Sequence, residues 1–378
     1  MNLLSFKKKQ DVKITGYLIF LMLLLFSCSL NNSDNQGNRV VLEFGGDFSI
    51  MKKMEDAGGL YKIDGVVKEG FKIFNDNGYT WARLRIFHTP EMDGSVCNDL
   101  DYTIKLAQKA KKFGFKILLN FHYSDTWADP GHQIIPAAWR NLSFELVQDS
   151  LYNYTKSVID AMDNAGVLPD MVQIGNEINN GMMWPHGKLW VDANITNWDN
   201  LSELLQTGIR GVKEAKNGAG ISIMIHAANG GDVNSSYKFY KNIIDRGVDF
   251  DVIGLSYYPW WHGTFIELEA NILYLSKKFY KDFSIVETAY YSNDWYPEPT
   301  PWIYSDPPFP PTEQGQYDYL FTLAQIIKQH PRVKTIFYWK PDALDIPKTK
   351  VNYLDRSLFD KDGNAYSGIS ALKDALKN

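Results

Sequence analysis

Met171-Val172-Gln173-Ile174-Gly175-Asn176-Glu177 is a short apolar run that stops abruptly at a glycine, an amide and a carboxylate. It is too short for a helix, and Asn179, Asn180 and Gly181 follow at once, so it reads as a buried strand emptying into a loop. A second segment has the same form: Asp282-Phe283-Ser284-Ile285-Val286-Glu287-Thr288, apolar residues closing on Glu287. Either glutamate alone has an ordinary explanation, as a helix cap or as the partner of a surface lysine. Two acids at two strand tips suggest instead a carboxylate pair facing one cleft, provided the chain supplies a scaffold that brings the tips together.

The rest of the sequence supplies one. Short apolar runs mark candidate strands at Val40–Phe44, Thr80–Ile86, Lys116–Phe121, Met171–Ile174, Ile221–Ile225, Val252–Ser256, Ser284–Val286 and Thr335–Trp339. Between them apolar residues recur at helical spacing, clearly at Val147, Leu151, Tyr154, Val158 and Met162, and over a shorter stretch at Val66, Val67, Phe71 and Phe74. Eight strands alternating with helices specify a parallel sheet, and at this length the expected fold is α/β, a single-domain (β/α)8 TIM barrel over residues 40–378. Such barrels carry function at the C-terminal ends of their strands. The tips are Asp47, Arg83 with Arg85, His122, Asn176 with Glu177, His226, Tyr257 with Tyr258, Glu287 and Trp339. That set is ionisable, polar and aromatic, unlike ordinary turn residues. Arg83 and Arg85 are two apart and so project from the same side of their strand, where a guanidinium can neutralise and orient a carboxylate.

The N-terminus reads as an address. Lys7, Lys8, Lys9 and Lys13 precede an apolar run from Tyr17 to Phe26, which is too short for a permanent span, and Ser27-Cys28 closes it in the manner of a bacterial lipoprotein cleavage site. Residues 1–28 are thus expected to be a lipoprotein signal peptide ending at a lipidated Cys28, and residues 29–39 a polar, flexible tether. Ser29 after the cysteine favours an exported outer-membrane lipoprotein. The second cysteine, Cys97, has no remaining partner for a disulfide. A net charge of −5 without a basic patch argues against nucleic acid. At 14% aromatic, with 11 Trp and 22 Tyr, the chain has more amphipathic rings than a core requires, and such rings suit the apolar faces of sugars.

Two carboxyl groups across a cleft allow glycosidic hydrolysis: one protonates the departing oxygen and the other stabilises the oxocarbenium-like centre. A separation of about 5–5.5 Å gives retention through a covalent intermediate, and about 6.5–9.5 Å gives inversion. Strands four and seven face each other across a narrow barrel mouth, so retention is expected. Glu177 is then the general acid and base, and Glu287, beside an arginine, the ionised nucleophile. Asn176 is placed to hydrogen-bond the sugar 2-hydroxyl.

An Asn-Glu at the tip of strand four with a Glu at the tip of strand seven resembles the clan A retaining glycoside hydrolases. Within that clan the chain resembles family 53, the arabinogalactan endo-β-1,4-galactanases. The resemblance rests on Gly45-Gly46-Asp47-Phe48-Ser49, Arg83-Leu84-Arg85, Gln173 to Gly181 with Trp184-Pro185, Ile253 to Pro259, Val286 to Tyr290 and Leu358 to Gly363. Most specific is His122-Tyr123-Ser124-Asp125-Thr126-Trp127-Ala128-Asp129-Pro130. It implies endo cleavage of β-1,4-galactan side chains of pectic arabinogalactan, with Glu177 as acid/base and Glu287 as nucleophile in a double displacement. It also implies substrate contacts at Asp125, Trp127, Asp129, His226 and Tyr258, to which the tip residues Asn176, Arg85, His122 and Trp339 are added. Two positions depart from the family pattern: Lys340, where a Glu is expected, and Asn120, where an Asp is usual.

His122 and His226 raise the possibility of a metal-dependent barrel hydrolase, but such barrels usually open with a His-x-His pair on the first strand, and none is present. Nor is there an Asp/Asn cluster suited to calcium. No cofactor or metal is expected, and the chain is expected to act as a monomer on a polysaccharide. Pro297–Pro311, rich in Pro and aromatics, is expected to shape one end of the cleft. The alternatives are another clan A β-glycanase, a mannanase or xylanase, and a non-catalytic surface glycan-binding lipoprotein.

Overall fold

The computed structural model describes residues 42–190, 196–293 and 307–377. The expected signal peptide, Cys28 and the tether lie outside them, as does most of the Pro297–Pro311 segment.

Eight parallel strands close into a barrel. They are β1 (Glu43–Asp47), β2 (Tyr79–Ile86), β3 (Lys116–Phe121), β4 (Met171–Ile174), β5 (Ser222–Ala227), β6 (Val252–Ser256), β7 (Asp282–Thr288) and β8 (Val333–Trp339). Each is followed by an outer helix: α1 (Gly70–Asp76), α2 (Leu100–Lys112), α3 (Phe144–Asn164), α4 (Trp198–Lys213), α5 (Val233–Asp245), α6 (Phe265–Lys278), α7 (Glu313–Ile327) and α8 (Gly368–Leu376). The (β/α)8 architecture expected from the sequence is the one observed, with β3, β4 and β6 at the expected bounds. In α3 the 3.6-residue period buries Val147, Leu151, Val158 and Met162 against the strands, and the Ser143 hydroxyl caps the first turn by accepting from the Leu146 N–H.

Two local readings are corrected. The strand expected at Val40–Phe44 is β1, Glu43–Asp47; Val40 and Val41 lie outside the described residues, and the strand runs on through Gly45 and Gly46. The reason is close packing: a Cβ at Gly45 would lie 2.4 Å from the Phe337 ring and 2.8 Å from the Trp81 Cβ. Val66 and Val67 are not on a helix but are exposed on the second arm of a hairpin, Tyr61–Ile63 with Val66–Lys68. Asp64 and Gly65 both have positive φ, 51° and 76°, as a two-residue hairpin turn of matching twist requires.

The barrel interior is filled in tiers, and the period of two along each strand decides what stands in each. Trp81, Leu118, Met171, Met224, Val252, Val286 and Phe337 form an apolar plug distinct from the larger core around it. Two residues further along β2, β3, β4 and β5 stand Arg83, Asn120, Gln173 and His226, all buried. The polar network is thus the next inward tier above the plug. β7 breaks the alternation. Its register against β6 shifts between Ile285 and Glu287, and the irregularity recurs against β8. This irregularity lets Glu287 follow the inward Val286 directly and still reach the barrel mouth.

Gly45→Ala should destabilise the fold by about 1–3 kcal/mol, because the methyl forces the buried Phe337 ring from its place. The measurement is the denaturant midpoint; an unchanged midpoint would show that the plug can yield.

Candidate active site

One guanidinium organises the polar tier. Arg83, 1% exposed, places Nη1 2.7 Å from Glu287 Oε1 and 3.0 Å from Asp47 Oδ2. Its Nη2 donates to Asn176 Oδ1 at 2.8 Å, and both Nη2 and Nε reach Gln173 Oε1. Three strands, β1, β4 and β7, and the turn after β4 are therefore held to one side chain of β2. Burial of such a cation demands paired acceptors, and a bidentate fork supplies the geometry. Asp47 is also within 3.2 Å of Arg85. Burial pushes the Asp47 carboxyl up, and the Arg85 and Arg83 guanidiniums, with help from Ser49, outweigh it and hold Asp47 below the usual carboxylate range.

The two glutamates occupy contrasting surroundings in one cavity of about 330 Å³. Glu287 has Arg83 on Oε1 and accepts from the Tyr258 hydroxyl on Oε2 at 2.9 Å. Glu177 has no ion-pair partner among the described residues; the Ser256 hydroxyl donates to its Oε1 at 2.6 Å. Burial, followed by the Glu287 charge, pushes the Glu177 carboxyl up to about 8, with Ser256 opposing. Burial also raises Glu287, but Arg83 pulls it back. Where two carboxyls compete for one proton, the member beside a cation gives it up more readily, so these surroundings favour the proton on Glu177 and the charge on Glu287.

The backbone at Glu177 is itself unusual. Its φ of 48° and ψ of 50° put a non-glycine residue in the left-handed region, two residues after Gly175 at φ 77°. A left-handed non-glycine residue costs roughly 1–2 kcal/mol and must be held by its surroundings. Here the Gln133 side chain donates to the Asn176 carbonyl at 2.8 Å, and Asn176 Nδ2 donates to the Ala128 carbonyl at 2.8 Å. The loop after β3 thereby fixes the turn that aims Glu177.

The structure separates the candidate residues into two groups. Trp127, Asp129, Asn176, Tyr258 and Trp339 line the cavity with both glutamates. Arg85, His122 and His226 do not; each is at most 2% exposed and engaged with protein groups. Arg85 lies under the Trp127 ring, 4.4 Å from its centroid. His122 Nδ1 accepts from the Ala128 N–H at 3.0 Å and keeps the loop after β3 folded. His226 Nε2 is 2.8 Å from Ser256 Oγ, while its Nδ1 is in reach of Gln173 Nε2 and the Glu177 N–H. The Ser256 hydroxyl gives its one hydrogen to Glu177, so Nε2 carries the proton that Ser256 accepts, and Nδ1, also 3.3 Å from Asn176 Oδ1, is the unprotonated nitrogen; His226 thereby orients the hydroxyl that meets Glu177. Burial pushes the His226 imidazole well down, consistent with a neutral ring. Asp125 accepts from the Thr89 and Ala137 N–H groups and lines an adjoining cavity of about 610 Å³. Asn120 and Gln173 extend the amide network around Asn176.

Sequence reading missed Ser256, Trp261, Asn352, Tyr353 and Arg356 as neighbours of the pair. Ser256 lies at the end of β6, and its position as a strand tip was the available signal. Residues 352–356 follow β8 in a loop without periodicity, where no pattern indicates direction. Of the two tyrosines after β6, Tyr258 faces the cavity and Tyr257 donates to the Gly263 carbonyl.

Comparison with known proteins places the chain in a family. The model of glycosyl hydrolase family 53 matches residues 43–372. The chain belongs to this family. It is a glycoside hydrolase. An arabinogalactan endo-β-1,4-galactanase of Thermothelomyces thermophilus is 34% identical over 343 residues, covering 87% of this chain and 98% of that protein. The family 53 catalytic domain of Ignisphaera aggregans superposes with a TM-score of 0.81 at 31% identity, covering 91% and 99% of the two chains. One of two fungal β-1,4-galactanases superposes with a TM-score of 0.78 at 32% identity, covering 88% and 98%.

In this family 53 hydrolase the Ser256 hydroxyl favours the ionised form of Glu177, so Ser256→Ala should raise its titration midpoint above about 8. Carboxyl-carbon NMR of glutamate-labelled protein reads the midpoint; a downward shift would mean that Ser256 stabilises the protonated form.

Proposed function

We propose that this protein is a retaining endo-β-1,4-galactanase acting on the galactan side chains of pectic arabinogalactan. The observation that carries the mechanism is the unequal treatment of the two glutamates: Arg83 contacts Glu287 and leaves Glu177 without a cation. In the proposed double displacement, ionised Glu287 attacks the anomeric carbon while Glu177 transfers its proton to the departing glycosidic oxygen. The galactosyl–Glu287 ester then breaks when Glu177, now a base, takes a proton from the attacking water and restores both starting states.

Asn176 is the proposed contact for the 2-hydroxyl. Its Oδ1 is turned towards Arg83, Asn120 and Gln173, and one Nδ2 hydrogen is used by the Ala128 carbonyl, so the other Nδ2 hydrogen is left for the sugar. The rings of Trp127, Tyr258, Trp261, Trp339 and Tyr353 around the pair suit the apolar faces of hexoses. Endo action is supported by the adjoining cavity, which shares Trp127 and Asn352 with the first and offers a chain room beyond the reacting bond. Galactan as the polymer is supported by the names of the relatives.

The reading is tested by reducing-sugar release from linear β-1,4-galactan, mannan and xylan by the protein lacking residues 1–28. Short oligosaccharides from galactan alone are expected, and activity confined to mannan or xylan would overturn the substrate. Glu287→Ala should lose at least about 10⁴-fold in turnover, as removal of a nucleophile does, and azide should restore it with inverted product. Rescue with retained configuration would transfer the nucleophile role to Glu177.

The N-terminal sequence supports export and attachment to the outer membrane through a lipid on Cys28. Cys28→Ala should move the protein from the membrane fraction to the soluble fraction; continued membrane recovery would argue against the anchor.

A further inference from the structure

Lys340 is the first residue past β8, it is fully buried, and it does not line the cavity that holds the two glutamates. Its φ of 52° breaks the strand's alternation immediately after Trp339. From there Nζ meets Ser95 Oγ at 3.0 Å and Asn352 Oδ1 at 3.2 Å. The same nitrogen lies 4.6 Å from the ring centre of Tyr353, 4.8 Å from Trp339 and 5.3 Å from Trp127. Ser95 belongs to the loop after β2, Trp127 to the loop after β3, and Asn352 with Tyr353 to the loop after β8.

Most of these partners face ligand space. Trp127, Trp339, Asn352 and Tyr353 line the catalytic cavity, and Ser95, Trp127 and Asn352 line the adjoining one. Trp127 and Asn352 thus form the wall common to both, and Lys340 touches each of them. A lysine buried among aromatic rings is costly to place, and a hydrophobic residue of similar length would fill the same space. What only the lysine supplies is donors: one amine joins a hydroxyl on one loop to an amide on another.

We propose that Lys340 is a positioning residue that fastens the loops after β2, β3 and β8 into one rigid wall, so that the catalytic cavity and its neighbour act as a continuous cleft for a polymeric chain. The proposal rests on the galactanase reading for its choice of substrate. Its geometry concerns binding and not the reacting carboxyls: Lys340 makes no hydrogen bond to either Glu177 or Glu287.

The test is steady-state kinetics on linear β-1,4-galactan with Lys340→Met, which keeps the length of the stem and removes both donors. Two lost hydrogen bonds translate to a rise in KM of about tenfold, while kcat stays within about twofold. Ser95→Ala should raise KM by a smaller factor and add nothing in the Lys340→Met background, since the two remove one link. An unchanged KM in Lys340→Met, with or without a lower melting temperature, would overturn the proposal and leave a residue of stability alone. Multiplicative losses in the double variant would overturn it as well. Should Lys340→Met fail to fold, Ser95→Ala decides alone, a raised KM supporting the link and an unchanged KM refuting it. If the unaltered protein cleaves mannan or xylan instead, the substrate reading fails, and the same comparison on that polymer judges Lys340 separately.

Discussion

The Arg83 guanidinium is the constraint on which the site depends. It is buried within β2 and contacts groups from β1, β4, β7 and the turn after β4. A cation in that position must be neutralised, and the chain answers with two carboxylates, Asp47 and Glu287, of which one is structural and the other lies in the cavity. Asp47, held ionised between two arginines, lets Arg83 face Glu287 without being fully consumed by it. Glu177 receives only a hydroxyl. The unequal protonation of the pair is therefore a consequence of where a single arginine can reach.

That arrangement in turn needs the apolar plug below it. The ring of Phe337 against Gly45, and the side chains of Trp81, Leu118, Met171 and Met224, seal the barrel from its N-terminal end. With water excluded from beneath, the contacts of Arg83 act in a medium of low polarity, where each counts for more than it would at the surface. The left-handed backbone of Glu177 is tolerated on similar terms: the loop after β3 grips the turn through Gln133 and Ala128. Rim loops and barrel interior thus determine the same two carboxylates from opposite sides.

The barrel was legible in the sequence because its strands are runs of apolar residues and its helices keep a clean period, as in α3. Strand tips could be read for the same reason, and with them Glu177, Glu287 and Arg83. Orientation was less accessible. A strict period of two would place Glu287 opposite Val286, and only the register shift in β7, a three-dimensional feature, brings both inward. Arg85 and Arg83 look alike in sequence, yet Arg83 reaches Glu287 while Arg85 stays with Asp47 beneath Trp127. Asn352, Tyr353 and Arg356 were beyond reach, since a loop's course is set by what it packs against and not by its own pattern.

Contact with Arg83 favours the charge on Glu287 and the shared proton on Glu177. Infrared difference spectroscopy of the carboxyl stretch tests it most directly, with the unaltered protein compared to Glu177→Gln and Glu287→Gln. The expected result is a protonated-carboxyl band at pH 7 in the unaltered protein that fades as pH rises through about 8 and is missing from Glu177→Gln. If that band survives in Glu177→Gln and vanishes in Glu287→Gln, the proton resides on Glu287, and Arg83 does not set the protonation of the pair.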